Sequence, residues 1–407
     1  MPFIPFLRKN FRWLAGGFLL TFFSSYGQTF FISLSAGSIR QEFELTHGGW
    51  GAVYMLATLA SAFTMPRLGQ IVDRYSVRTV TLFVVASLAV ACLLMAVSRH
   101  ALVLLAAVYL LRLFGQGMMG QIAYTAAGRW FVAQRGRALG LTVIGVNAGE
   151  ACFPLLFVVV AAAVGWRNAW ILGAATLILV ALPVIAKLVA VERQPLSADP
   201  PSLRVVRVRD WTRRELLRDR YFYLILCGAM APGFIGTVIF FHQIHLIELR
   251  GWSSGLFASS FTMMAVFTVT SALGSGQLID RFSAAALLPF FLLPLGFACL
   301  VLAFCEAQWT SFVFMALIGL CFGANNTVFG ALWPEVYGTA HLGAIRALVL
   351  AIMVFATAMG PGFTGYLIDV GVNLPAQVAA MGIYCFLASL LMLRVSRRLK
   401  DRAAASA

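Results

Sequence analysis

Twelve apolar runs, each long enough to cross a bilayer, recur along the 407 residues. They lie at about 11–34, 48–68, 79–98, 101–127, 138–163 and 168–190, and then at about 221–246, 253–278, 284–304, 310–333, 344–367 and 375–393. One crossing takes about 20 apolar residues, so twelve consume roughly 240 and leave only short loops. The chain is 61% hydrophobic and 11% charged, whereas soluble domains carry roughly 25% charged residues. A water-soluble enzyme is therefore excluded, and the expectation is an all-α polytopic membrane protein with twelve transmembrane helices. The first run is too long for the apolar core of a cleaved leader and is read as a span that stays. The seven cysteines are scattered through apolar runs without metal-ligand spacing, so neither a metal nor a cofactor is expected.

The twelve runs fall into six plus six. Between them, 191–220 is a charged stretch holding Arg193, Arg204, Arg207, Arg209, Arg213, Arg214, Arg218 and Arg220. The expected organisation is a six-helix bundle at 1–190, a basic linker at 191–220 and a second bundle at 221–407 with a short tail. The end of the linker reads as a short surface helix, with Trp211, Leu216 and Leu217 facing lipid headgroups.

The net charge is +15, a value that in a soluble protein would suggest nucleic acid as partner. Its placement excludes that. With an even number of spans both termini share one side, and that side holds 25 of the 30 Lys and Arg. Basic loops stay cytoplasmic, so both ends are expected in the cytoplasm of a bacterial-type inner membrane. Only Arg112 and Glu150 fall clearly within spans.

An internal repeat then appears. Gly69-Gln70-Ile71-Val72-Asp73-Arg74-Tyr75-Ser76 closes span 2, and Gly276-Gln277-Leu278-Ile279-Asp280-Arg281-Phe282-Ser283 closes span 8, 207 residues later. Five positions are identical, and both copies occupy the same turn of their half. The chain reads as a duplicated six-span unit. The octet, with Arg78 following, resembles the signature loop of the major facilitator superfamily (MFS) in Gly69, Asp73, Arg74 and Arg78; the second copy keeps Gly276, Asp280 and Arg281. The resemblance implies two pseudo-symmetric six-helix bundles around a central solute cavity, working by alternating access, with these residues as gating loops. An Asp at such a turn is expected to accept hydrogen bonds from a helix N-terminus. Arg129-Trp130-Phe131 and Arg135-Gly136-Arg137-Ala138-Leu139-Gly140 further resemble the loop between spans 4 and 5 of monocarboxylate-porter-like and oxalate/formate-porter-like members, which implies a small organic anion as substrate.

Ionisable groups inside spans are costly and mark function. Arg112 and Glu150 are expected to pair across adjacent spans, either as a permanent structural salt bridge or as a site in which Arg112 binds the anion and Glu150 carries a coupling proton. At 100° per residue Arg112, Gln116, Met119 and Ala123 share one helix face, as do Asn147, Glu150 and Pro154. His242 and His245 share a face of span 7, suited to anion binding or proton relay. Tyr26 and Gln28 in span 1, Tyr124 in span 4, and Asn325 and Asn326 in span 10 complete the candidates, because spans 1, 4, 7 and 10 line the cavity in this superfamily. Paired amides in a span need a cavity or a hydrogen-bonding neighbour. The expectation is thus a monomeric secondary transporter, not an enzyme, moving a small organic solute with protons. Proton-driven efflux of drugs or metabolites is the alternative, and a membrane sensor a weaker one.

Overall fold

The structure, a computed structural model, describes residues 3–131, 135–193, 210–338 and 341–406. The chain is helical, with no strand among the described residues. It divides into two compact units, Met1–Ser202 and Leu203–Ala407. In the first, span 2 is His47–Leu68, span 3 Val77–Val97, span 4 Ala101–Trp130, span 5 Arg135–Val164 and span 6 Trp166–Leu188. In the second, span 7 is Arg220–Phe241, span 8 Ser254–Phe282, span 10 Thr310–Tyr337, span 11 Leu342–Asp369 and span 12 Leu374–Ser406.

Among the described residues nine helices are long and apolar enough to cross a membrane on their own. Three expected spans fall outside that count for physical reasons. Span 1 starts as Phe3–Phe23 but then breaks. Span 2 is diluted by His47, Thr58, Ser61, Thr64 and Arg67. Span 9 is split into Ala284–Leu287 and Leu293–Phe304, with Pro294 opening the second piece where a missing N–H costs nothing.

Helices close on one another through small residues, as expected where lipid supplies no hydrophobic drive between them. On span 5, a Cβ at Gly145 would lie 2.3 Å from the Phe18 carbonyl oxygen, and one at Gly149 would lie 2.1 Å from Ser25 Oγ. Span 10 repeats the device against span 8: a Cβ at Gly319 would stand 2.5 Å from Met264 O, and one at Gly323 2.2 Å from Thr268 O.

The octets end in caps. Ser76 Oγ accepts from Thr79 N (3.2 Å), and Ser283 Oγ accepts from Ala286 N (3.3 Å), each satisfying one orphan donor of the next helix. The acids that complete these caps come from elsewhere. Glu192 accepts from Val77 N (3.1 Å), and the Glu335 carboxylate accepts from Ala284 N and Ala285 N (2.8 and 3.2 Å). The octet Asp was expected in that role. Asp280 is exposed, and the side chain of Asp73 lies outside the described residues.

Most of the basic linker, 194–209, including Arg204, Arg207 and Arg209, also lies outside them. Beyond it the expected surface helix shrinks to Arg213–Leu216, held by a capping box between Thr212 and Glu215. Its lipid-facing reading is corrected. Trp211 packs edge-on against Tyr337 (5.6 Å) under the Arg402 guanidinium (4.0 Å), and Leu216 is fully buried. Only Leu217 is exposed. Protein aromatic and cationic neighbours outcompete headgroups for the indole.

Both units tie the tail of their sixth span to the start of their first and the end of their fourth. In the first, Arg193 donates to Asn10 Oδ1 (3.1 Å) and to the Trp130 carbonyl, and lies over Phe131. Burial there lowers the Arg193 pKa from its ordinary value. In the second, Arg402 pairs with Asp219 (3.0 Å), which also accepts from the Tyr337 hydroxyl (3.1 Å).

Candidate functional site

Span 1 leaves the α-helix at a polar run within its apolar stretch. Ser24–Gly27 tightens into a 3-10 turn, Gln28 is extended (φ −82°, ψ 151°), Thr29–Ile32 makes one α-turn, and Ser33–Ser35 is again 3-10 before Ala36–Glu42 continues. Such a break frees backbone groups that must find partners inside the protein.

Span 4 supplies one. Its segment Leu111–Met119 is π-helical, a geometry enriched at functional sites. The segment meets the break at two glycines. A Cβ on Gly27 would sit 2.2 Å from Leu111 O, and one on Gly115 would sit 2.6 Å from Gly27 Cα. At this backbone contact Arg112 reaches the break. Its Nη1 donates to Gly27 O (3.2 Å) and Thr29 Oγ1 (3.4 Å), and its guanidinium lies 5.2 Å from the centre of the Tyr54 ring. Thr29 Oγ1 and the Tyr54 hydroxyl are 2.6 Å apart. Arg112 is 5% exposed, and its Nε has no hydrogen-bond partner among the described residues.

Two sequence expectations change here. Arg112 and Glu150 form no ion pair among the described residues. Arg112 is turned to the span 1 break, where its Nη1 donates to Gly27 O. The shared face of Arg112, Gln116, Met119 and Ala123 also fails. Gln116 is exposed while Met119 and Ala123 are fully buried, because i→i+5 turns shift the angular phase that 100° per residue assumes.

The other candidates separate into distinct places. Tyr26 is buried in an aromatic cluster with Phe31 and Phe153 (ring centres 5.0 Å from each). Gln28 is half-buried at the break, Asn147 is buried on span 5, and Tyr124 is partly exposed. His242 and His245 do not share one continuous helix. Span 7 ends at Phe241, His242 is non-helical (φ −92°, ψ 14°), and a second helix, Gln243–Arg250, follows. His242 is buried, with Nε2 2.9 Å from Thr364 Oγ1. On span 10, Asn325 holds a buried Oδ1 without a partner among the described residues, and Asn326 is exposed. Arg74, Arg78 and Arg281 are exposed, Arg281 lying over Phe282; Gly69 is the half-buried C-cap of span 2 and Gly276 a half-buried position within span 8.

Sequence reasoning missed Tyr54, Thr29, Gly27, Glu192 and Glu335. The polar run 24–29 inside an apolar span was the available signal for the break. Nothing local marks Tyr54. Among the described residues no cluster of His, Cys, Asp or Glu could hold a metal ion.

A family profile described as Major Facilitator Superfamily matches residues 17–345, most of the chain. The chain belongs to the major facilitator superfamily. Its fold agrees with solved members of that class: a bacterial homolog to the human lysosomal transporter Spinster, in an inward-facing and unoccupied conformation, aligns with TM-score 0.68 and 19% identity over 96% of this chain and 95% of that one. Among named relatives, monocarboxylate transporter 13 of Bos taurus is 26% identical over 262 residues, 63% of this chain and 59% of its own length. A protein described as a probable sulfoacetate transporter, SauU, of Cupriavidus necator is 30% identical over 171 residues, 42% of this chain and 40% of its own. The match thus spans about half the length of these relatives. These relatives carry the names of transporters, and the chain is a multi-pass membrane protein of the major facilitator superfamily.

Proposed function

We propose that this MFS protein carries a small organic anion, a carboxylate or sulfonate, by alternating access, with protons as the coupling ion. The observation that carries the reading is Arg112. An ionised side chain without an acid partner is far costlier to bury than a paired one, and intramembrane charges that persist mark substrate or ion paths. Arg112 keeps one donor unspent beside a broken helix, the arrangement in which transporters bind solutes. The names of the relatives, a monocarboxylate and a sulfoacetate transporter, favour the same class.

In this reading Arg112 orients the carboxylate or sulfonate, with Thr29 and Tyr54 holding the guanidinium. Glu150, unpaired to Arg112, takes up and releases the proton. Gln28, Gln116, Asn147, Asn325 and the His242–Thr364 pair are candidate polar contacts along the path. Asp73, Arg74, Arg78, Asp280 and Arg281 form cytoplasmic latches that break as the bundles rock. The basic loops place both termini in the cytoplasm, the linker 191–220 joining bundles 1–190 and 221–407 there.

The test is uptake into proteoliposomes of radiolabelled lactate, oxalate and sulfoacetate under an imposed pH gradient. Accumulation that collapses with a protonophore is expected. Arg112→Ala should abolish it, and Arg112→Lys should leave a small residue of activity because an ammonium keeps charge without the planar fork. Unchanged KM and rate in Arg112→Ala would remove Arg112 from the path. Export of cationic compounds instead of anion uptake would favour efflux.

A further inference from the structure

The exposed face of span 12 changes character along its length. At 100° per residue Ile383, Leu387, Leu390, Arg394, Arg397 and Arg398 fall within about 50° of one line. All six are exposed, the three apolar ones by 56%, 60% and 60%. The opposite face, with Cys385, Met392, Val395, Ser396 and Leu399, is buried. The helix begins at Leu374 and runs to Ser406. From Asn373 to Arg394 it covers about 31 Å, against roughly 30 Å for the hydrocarbon core of a bilayer. Arg394 therefore stands where the apolar layer gives way to headgroups, and the helix continues beyond it.

That extension is held in place while its outward cations stay unspent. Val395, Ser396 and Leu399 remain buried on the inner face. Arg402, on the flank, pairs with Asp219 (3.0 Å) and lies over Trp211 (4.0 Å). Arg394, Arg397 and Arg398 make neither an ion pair nor a side-chain hydrogen bond among the described residues. Asp401 shares their exposed face one turn further on and pairs with none of them there.

The repeat shows that this cluster belongs to the second unit alone. Shifted by 207 residues, Arg394, Arg397 and Arg398 correspond to Lys187, Ala190 and Val191, and the helix of span 6 stops at Leu188. One cation at a span end is enough to bias topology. Span 12 adds two more on the same face, on a helical stretch that span 6 lacks.

Three guanidinium groups set along about 6 Å of helix repel one another unless an anion is shared among them. Guanidinium groups favour phosphate, which they can grip through two parallel hydrogen bonds. The occupant must carry negative charge, reach the headgroup level and tolerate the apolar stripe that leads into the arginines. A soluble polyanion meets the first demand and not the last. We propose that this face of span 12 binds an anionic phospholipid, its phosphate held by Arg394, Arg397 and Arg398 and its acyl chain lying along Leu390, Leu387 and Ile383. A choline headgroup carries its own cation beside the phosphate and competes with the arginines for it, so the site prefers phosphatidylglycerol to phosphatidylcholine. The inference is independent of what the protein transports.

The experiment is native mass spectrometry of the full chain, released from micelles holding equal amounts of phosphatidylglycerol and phosphatidylcholine with the same acyl chains. Retention of phosphatidylglycerol several-fold above phosphatidylcholine is expected. Each basic residue near an anionic surface strengthens binding by about fivefold, so Arg397→Gln alone should lower phosphatidylglycerol retention by about that factor. Arg394→Gln, Arg397→Gln and Arg398→Gln together should bring it down to the phosphatidylcholine level. The corresponding triple change to lysine keeps the charge and should keep most of the preference, which separates lost charge from lost fold. Arg8→Gln with Lys9→Gln removes exposed charge at the start of span 1 and should change nothing. Equal retention of the two lipids by the unaltered chain, or unchanged retention in the triple glutamine variant, would overturn the proposal. An equal loss in the Arg8 and Lys9 variant would overturn it as well, by showing diffuse attraction. So would heparin binding that the triple glutamine variant abolishes, with no preference between lipids, because the cluster would then serve a soluble polyanion.

Discussion

Spans 1, 5 and 6 of the first unit and spans 7, 11 and 12 of the second descend the same path through the repeat, yet only the first set closes. Gly145 and Gly149 bring helices together, and Phe23, Phe153, Phe157 and Trp170 seal the remainder. The second set keeps an 860 Å³ space. Charge in the middle of spans divides the same way: Arg112 and Glu150 belong to the first unit, and 207 residues after Arg112 the chain has Gly319. A duplicated backbone route therefore leaves side chains free to specialise. One half is packed tightly around a cation, and the other is left adaptable.

The comparison breaks most decisively at the span 5 glycines. Gly149→Leu would drive a side chain into Ser25 Oγ and Phe22 O, at 2.1 and 2.8 Å from the Cβ. Overpacking costs about 1–3 kcal/mol and more where backbone must move, so loss of folded protein in detergent chromatography is expected. Ala356→Leu, its counterpart beside the cavity, should retain a near-normal Tm. Equal damage in both would show that the two sets pack alike.

The helix caps should rank next. Glu335→Ala strips two backbone donors of span 9 and should destabilise by about 1–3 kcal/mol. Glu192→Ala strips one from span 3 and should cost about half as much. Thermal unfolding of the purified variants reads the difference, and an inverted order would discard the capping account. Smallest is the span-end tie. Asp219 keeps its bonds from Tyr337 and Tyr221 when Arg402 is removed, and the pair is part-exposed. Arg402→Ala should therefore cost about 1 kcal/mol or less, with transport unchanged in the vesicle assay.

Much of this architecture was legible in the residues. Hydropathy alone separated twelve runs, and the two octets disclosed the duplication and its offset. Arg112 stood out because a lone cation in an apolar run is conspicuous whatever surrounds it. The pairing with Glu150 did not follow, because adjacency of spans says nothing about which way a side chain turns. The face drawn through Gln116 and Met119 failed for a different reason: a π-helical segment has no signature in periodicity, only in the neighbour that stabilises it. Trp211 was read for lipid on amphipathic pattern, and Tyr337 and Arg402, more than a hundred residues away, claimed it instead.

The sequence by itself determined that this chain crosses a membrane many times, that its spans repeat as two six-span halves, and that its basic residues gather in alternate loops. Those properties are sums of transfer free energies and local charge, which each segment carries with it. Only the tertiary structure decided where span 1 breaks, that Gly27 and Thr29 receive Arg112, that Glu192 and Glu335 cap the third and ninth spans, and that a groove stays open beside Gln377. Those outcomes depend on which donors, acceptors and volumes meet across helices, and no segment contains both halves of such a contact.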